Sequence, residues 1–171
     1  MLRPHGTASP CVAASAYVDA SAQVVGDVEI GDESSVWLNA VVRGDVNRIR
    51  IGARSNLQDG VIVHVNRDPS HPTLVGDDVT VGHGAILHGC TVENLCLIGM
   101  GAILLNGCRI GSGSIVAAGT LVTERVEVPA GSLVMGSPGR VRRSLTGAER
   151  ALIAESAANY VRYRLAYLPN A

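Results

Sequence analysis

Three of the five histidines, His64, His83 and His88, fall close together along the chain. Imidazole is the commonest side-chain ligand for transition metals. Three such nitrogens leave the fourth position of a tetrahedral ion to water, the arrangement of a catalytic rather than a structural site. Whether the three can meet depends on the elements that carry them.

Those elements are written in a period of six. Aliphatic residues recur at Val12, Val18, Val24, Ile30, Val36 and Val42. After three extra residues the series resumes at Ile51, Leu57 and Val63, and after a six-residue insertion at Val75, Val81 and Leu87. One five-residue step leads to Val92, Ile98, Leu104, Ile110, Val116, Val122, Val128 and Val134. A fixed short period predicts a solenoid of stacked parallel strands, with three hexads closing one triangular coil of about 18 residues. Gly follows the aliphatic at 31, 52, 76, 82, 99 and 111, which predicts sharp corners there. A hexad cannot bury its apolar residue alone, so stability is a sum over neighbouring coils.

The register places the histidines. With the segment 66–73 treated as an in-phase insertion, Leu87 lies three hexads after Val63, so His64 and His88 stack on adjacent coils, about 4.8 Å apart at the backbone. A zinc ion with Zn–N distances of about 2.0–2.1 Å fits between two imidazoles so spaced. His83 lies on a different face, and one prism cannot easily deliver all three rings to a point. A second copy can, which predicts a cyclic homotrimer with three interfacial metal sites, His64 and His88 from one subunit and His83 from the next. The same arithmetic puts Arg43 below His64, Asp59 below His83 and Gln58 below Gly82. Arg43 and Asp45 then border the site from one subunit, Gln58 and Asp59 from the other, as candidate partners for the outer ring nitrogens. Simpler roles compete: an interface ion pair for Arg43 and Asp45, a corner cap for Asp59, and ordinary surface positions for His5 and His71.

Composition bounds the rest. At 171 residues the chain reads as one domain; 47% of it is apolar, yet only 3% is aromatic and Phe is absent. A narrow interior of small branched side chains fits better than a globular core built on rings. A formal charge of −1 argues against nucleic acid or an anionic membrane as the main partner. No apolar run approaches the roughly 20 residues of a membrane span, and Met1-Leu2-Arg3-Pro4-His5-Gly6 lacks a signal-peptide h-region, so a cytoplasmic location is expected. Cys90, Cys96 and Cys108 read as buried reduced thiols at tight positions, with no close pair for a zinc–cysteine site.

The solenoid is expected over 10–140. The loop 66–73, with two prolines, should protrude. After Gly136-Ser137-Pro138-Gly139 the period turns helical, and a helix over 144–168 is expected. Thr146 and Glu149 have capping-box spacing for it. Leu152, Ile153, Ala157, Tyr160, Val161 and Leu165 give it an apolar face, to pack on the solenoid or on a neighbouring subunit. The tail Pro169-Asn170-Ala171 should fray.

The chain closely resembles the gamma-class carbonic anhydrase family. The resemblance is carried by Arg43-Gly44-Asp45-Val46-Asn47, Asn56-Leu57-Gln58-Asp59-Gly60, Val63-His64-Val65 and Val81-Gly82-His83-Gly84-Ala85-Ile86-Leu87-His88-Gly89-Cys90. Ile98-Gly99-Met100-Gly101-Ala102 and Met135-Gly136-Ser137-Pro138 also fit, so nearly the whole chain is covered. The hexad alone is shared with many acyltransferases; the three histidines with Arg-Gly-Asp and Gln-Asp are more specific. The resemblance implies a left-handed parallel β-helix, all-β with one C-terminal α-helix, assembled as a trimer with Zn2+ at the interfaces. It implies His64, His83 and His88 as metal ligands and Gln58 as the group orienting water or bicarbonate. Arg43 and Asp45 would organise the interface, Asp59 would sit beside the site, and Tyr160 would lie at its edge. The reaction implied is reversible hydration of carbon dioxide to bicarbonate, with the ion lowering the pKa of its water towards roughly 7. Fe2+ or Co2+ would suit the same ligands.

The sequence departs from the family at the acidic proton shuttles. Val46 stands where the first is expected, and the loop offers only Asp68 and His71, the latter with an ordinary pKa of about 6.5. Slow turnover is consistent with that. Two other functions share the fold: a hexapeptide acyltransferase or thioesterase acting on acyl-CoA, with one His as base, and a catalytically weak, metal-bearing scaffold within a larger assembly.

Overall fold

The computed structural model describes residues 1–168, and the expected fraying of Pro169-Asn170-Ala171 lies outside them. The chain forms a parallel β-solenoid of about seven turns, with one C-terminal helix packed along a face of it. Most strands are two or three residues long and pair in parallel with the coil above and below. Three stacked ladders result, one along each face of a prism.

The interior is the aliphatic series. Val24, Val42, Val63, Leu87, Leu104 and Val122 follow one another up one face, each no more than 1% exposed. Full burial of one such side chain contributes roughly 1.5–3 kcal/mol, and every coil adds three of them.

The corners differ from the sequence expectation. The glycines that directly follow the aliphatics are not the left-handed ones. They are small because the next coil's backbone passes over them: a Cβ on Gly99 would meet Ala118 N at 2.5 Å, and one on Gly111 would meet Ala130 N at 2.6 Å. The chain turns at the third residue after each aliphatic, which has positive φ throughout most of the solenoid. Some of these positions are glycine, as at Gly113 and Gly119, while others are Glu33, Asn39, Arg54, Asp78, Leu95 and Arg125.

The three outer surfaces are unlike one another. One ladder runs Glu29, Arg50, Leu74, Thr91, Arg109 and Glu127, a mostly polar series suited to water. A second carries Leu97, Ile115 and Leu133, which pack beneath Leu145 and Ile153 of the C-terminal segment. The third runs Val41, Ile62, Ile86, Ile103 and Leu121. It is aliphatic, uncovered in this chain, and 43% exposed at Ile62.

The C-terminal segment also departs from expectation. Before any helix, Gly139–Ser144 turns back as an antiparallel strand on Ser132–Gly136. The helix α1 then spans Gly147–Tyr163, shorter than the expected 144–168, and a 3₁₀ turn, Arg164–Tyr167, follows. The capping box is present: Thr146 Oγ1 accepts the Glu149 amide at 3.2 Å, and Glu149 accepts the Thr146 amide at 2.8 Å. Of the expected apolar face, Ile153 and Ala157 are buried, but Leu152 and Leu165 are exposed. α1 packs on its own solenoid, and Arg164, almost fully buried, pins its end to Glu33 at 2.9 Å.

Candidate metal centre

Two half-sites lie on different faces of the prism. The first rests on the in-register pairing of His64 with His88 across neighbouring coils. It sits on the aliphatic, uncovered face. His64 Nδ1 and His88 Nε2 lie 3.1 Å apart. The outer nitrogens are tied down: His64 Nε2 meets Asp45 Oδ1 at 3.0 Å, and His88 Nδ1 meets Asn106 Oδ1 at 2.7 Å. Arg43, half exposed, pairs with the other oxygen of Asp45.

Counting protons shows what the gap can hold. Asn106 donates its amide Nδ2 to Glu124 at 3.3 Å, so its carbonyl oxygen faces His88 and takes the Nδ1 proton. His88 Nε2 therefore carries a lone pair. Asp45 takes the Nε2 proton of His64, so a neutral His64 also turns a lone pair into the gap. Only a proton on one of the two rings or a cation relieves that contact. Burial opposes the protonated ring and holds the His64 pKa below its usual value, with the Asp45 hydrogen bond offsetting only part. Asp45 is itself partly desolvated, yet bonds from His64 and Arg43 keep its carboxyl below the ordinary range. In a tetrahedral zinc site with Zn–N of about 2.05 Å, ligand nitrogens lie about 3.3 Å apart. The observed separation is close to that edge, so these residues fit a divalent cation.

The second half-site lies around the corner. His83 is half exposed, and its Nδ1 lies 2.9 Å from Asp59 Oδ2, so Nε2 is the nitrogen that this carboxylate does not engage. Asp59 stands one coil below, as the register requires, and Gln58 stands beside Gly82. Gln58 is buried and donates to Asn56 Oδ1 at 3.2 Å. Tyr160 reaches this half-site from α1. Burial, and next the charge of Asp59, raise its pKa. His83, Gln58 and Tyr160 all line one groove of about 520 Å3 between α1 and the solenoid, floored by Ile98, Met100 and Val116.

A single chain thus brings two imidazoles together and holds the third apart. Among the described residues, no group of three or more His, Cys, Asp or Glu side chains within this chain could hold an ion. Arg43, Asp45, His64 and His88 form one group, and Gln58, Asp59, His83 and Tyr160 the other.

Sequence reasoning missed three supporting residues: Asn106, Glu124 and Thr73. The fully buried Thr73 donates its hydroxyl to the His64 carbonyl at 2.5 Å and accepts the Gly89 amide at 2.9 Å, locking the two histidine strands together. The loop 66–73 does not simply protrude. Asn47 holds its carbonyls at Asn66 and Asp68, and His71 lies over Gly107, where a Cβ would meet His71 Nε2 at 2.9 Å. His71 pairs with Asp68 at 3.3 Å. Among the described residues neither hydrogen-bonds to His64 or His88. Cys90, Cys96 and Cys108 are free, buried thiols, and Cys11 is exposed. No described helix is long and apolar enough to cross a membrane.

Comparison with known proteins bears on the family and the fold. Residues 89–124 match a family described as bacterial transferase hexapeptide, six repeats. A probable carbonic anhydrase of Methanocaldococcus jannaschii is 57% identical over 82% of this chain and 87% of its own length. Gamma carbonic anhydrase 1 of Arabidopsis thaliana, a mitochondrial protein, is 47% identical over 89% of this chain, which spans only 57% of that relative. The crystal structure of a hexapeptide transferase family protein from Anaplasma phagocytophilum superposes with a TM-score of 0.94 at 38% identity, over 98% of each chain. The repeat is common to transferases and anhydrases; the carbonic anhydrases among the relatives are 46–57% identical over more than four fifths of this chain, and with them the chain belongs to the gamma carbonic anhydrase family of hexapeptide-repeat proteins.

Proposed function

We propose that this protein catalyses the reversible hydration of carbon dioxide to bicarbonate and a proton at a zinc site shared between subunits of a homotrimer. The observation that carries the reading is the 3.1 Å approach of His64 Nδ1 to His88 Nε2, two ring nitrogens whose outer partners are both oxygen acceptors. The aliphatic ladder Val41, Ile62, Ile86, Ile103 and Leu121 lies on that same face and favours its burial against another copy. A neighbour seated there would supply His83, whose outward nitrogen is free of Asp59, and cyclic closure would repeat the site three times.

A divalent cation held by His64, His88 and the neighbour's His83 would act as a Lewis acid and make water acidic near neutral pH. The chain's own groups do the rest. Asp45, Asn106 and Asp59 fix the three imidazole tautomers and keep the inner nitrogens basic. Gln58 donates one amide N–H to Asn56, which orients the group, and its carbonyl oxygen can accept from water or from the hydroxyl of bicarbonate. Arg43 keeps Asp45 ionised. Proton export is the least equipped step, because Val46 is apolar and His71 is tied to Asp68; slow turnover follows.

Metal content of protein purified without added ions, measured beside a carbon dioxide hydration assay, tests this. Stoichiometric zinc and activity lost on chelation and regained with zinc are expected. Full hydration activity in metal-free protein would refute it.

A second reading, thioester hydrolysis or acyl transfer on a CoA-type substrate with His83 as base, is favoured by one observation. The groove beside His83 holds about 520 Å3, far more than carbon dioxide needs, and its floor is aliphatic. Acyl-CoA turnover by metal-free protein would select that reading over the first.

A further inference from the structure

The protein has one Trp, four Tyr and no Phe, and all five rings gather at one place. Trp37 meets Tyr17 at a centroid distance of 5.5 Å, Tyr160 at 5.4 Å and Tyr167 at 5.0 Å. Tyr163 adjoins Tyr160 at 5.5 Å. Tyr160 and Tyr167 both stand at 81° to Trp37, so they rise from it as two perpendicular walls.

Aromatic residues that only fastened α1 to the solenoid would be buried together. Trp37 is buried, but Tyr163 and Tyr167 are 52% and 53% exposed. Between the rings opens a pocket of about 370 Å3 lined by Trp37, Asp59, Tyr160, Tyr163 and Tyr167. Leu38 and Ala166 complete its lining, so among the described residues no basic side chain lines it. Its one charge is the Asp59 carboxylate, half exposed, which faces this pocket as well as His83.

Ring faces carry negative potential and attract cations. A carboxylate adds to that potential, and the absence of a basic side chain leaves it unanswered. The walls offer apolar area but few acceptors, so an ammonium with several N–H groups would go unsatisfied. A methylated ammonium has no such need. We propose that the pocket bounded by Trp37, Tyr160, Tyr163, Tyr167 and Asp59 binds a small quaternary or fully methylated ammonium group. The pocket shares Asp59 and Tyr160 with the His83 half-site, but binding in it needs neither a metal nor a second subunit.

Trp37, as the sole tryptophan, reports on its own pocket. The purified protein is titrated with tetramethylammonium and with choline while Trp37 fluorescence and binding heat are followed. The neutral isostere 3,3-dimethylbutan-1-ol serves as control. Saturable binding of both cations is expected, at least about tenfold tighter than that of the alcohol. Tyr163→Leu and Tyr167→Leu change half-exposed positions, and each should weaken the cations about fivefold in protein whose unfolding midpoint is unchanged. Asp59→Asn should weaken the cations and leave the alcohol unchanged. No saturable cation binding to the unaltered protein would overturn the proposal. Equal affinity for choline and its neutral isostere would do the same, assigning the pocket to apolar ligands instead.

Discussion

Asn106 accepts the Nδ1 proton of His88 at 2.7 Å, while Glu124, one coil further on, holds the Asn106 amide the right way round at 3.3 Å. The contact depends on a residue with no side chain. A Cβ on Gly89 would lie 2.5 Å from Asn106 Oδ1, so only glycine lets the amide pass over the corner to the ring behind it.

That arrangement makes Asn106 the orienting group of one proposed ligand. Asn106→Leu should weaken zinc about 10–100-fold, as loss of such partners does elsewhere, with the solenoid's unfolding midpoint little changed. Asn106→Asp should restore or strengthen binding, because a carboxylate accepts the same proton more strongly. Competition titration against a chromophoric chelator measures both. Unaltered affinity in Asn106→Leu would place the ion elsewhere.

Subunit mixing tests the shared geometry. His83→Ala and His64→Ala should each lose the metal as homotrimers. Every mixed trimer has one interface where an intact His64 meets an intact His83. Equal amounts unfolded together and refolded should therefore regain about a quarter of the unaltered metal content, by random cyclic assembly. No recovery, with mixed trimers demonstrated by mass, would rule out ligands from two subunits.

Much of this was legible in the sequence because a solenoid turns spacing into position. Once Val63 and Leu87 are recognised as three hexads apart, His88 must stack on His64, and the strand register agrees. The separation of His83 followed from the same count. Asn106 escaped because the five-residue step after Leu87 shifts the register: Leu87 pairs with Leu104, which puts Asn106 level with Gly89 rather than with His88. Its reach to His88 is a side-chain event across a corner, invisible to counting. The glycine corners were misplaced for a related reason. Composition marks where glycine occurs, but not whether it answers a positive φ or a backbone passing overhead.

Those two uses of glycine predict different costs. At Gly99 a new Cβ would meet Ala118 N at 2.5 Å within the coil stack, where neither backbone can give way alone. At Gly113 the space is open, and only the left-handed backbone, φ +67°, resists. Gly99→Ala should destabilise by about 2–3 kcal/mol through overpacking, and Gly113→Ala by about 1 kcal/mol. Denaturant unfolding midpoints measure the difference. Equal costs would mean that coil spacing relaxes more readily than the tight stack implies.

The helix that carries Tyr160 has an acid limit built into its cap. Arg143 first, then the Thr146 amide and hydroxyl, pull the Glu149 pKa down to about 2 from an ordinary value near 4.5. A carboxyl lowered on folding stabilises the folded state fully above its unfolded pKa and loses that contribution as pH falls towards its folded one. The cap's contribution should therefore be intact above about pH 5 and disappear between about 4.5 and 2. Because the pair is open to solvent, with Arg143 half exposed and Glu149 partly so, salt should weaken the ion-pair part of it. Hydrogen exchange at the first turn of α1 measures the effect, and protection there should fall through that window before the solenoid amides lose theirs. Glu149→Gln should show the reduced protection already at neutral pH and little further change on acidification. A first turn that stayed equally protected at pH 2 and pH 6 in the unaltered protein would show that packing of Ile153 and Leu145 against Ile115, rather than the cap, holds α1 on the solenoid.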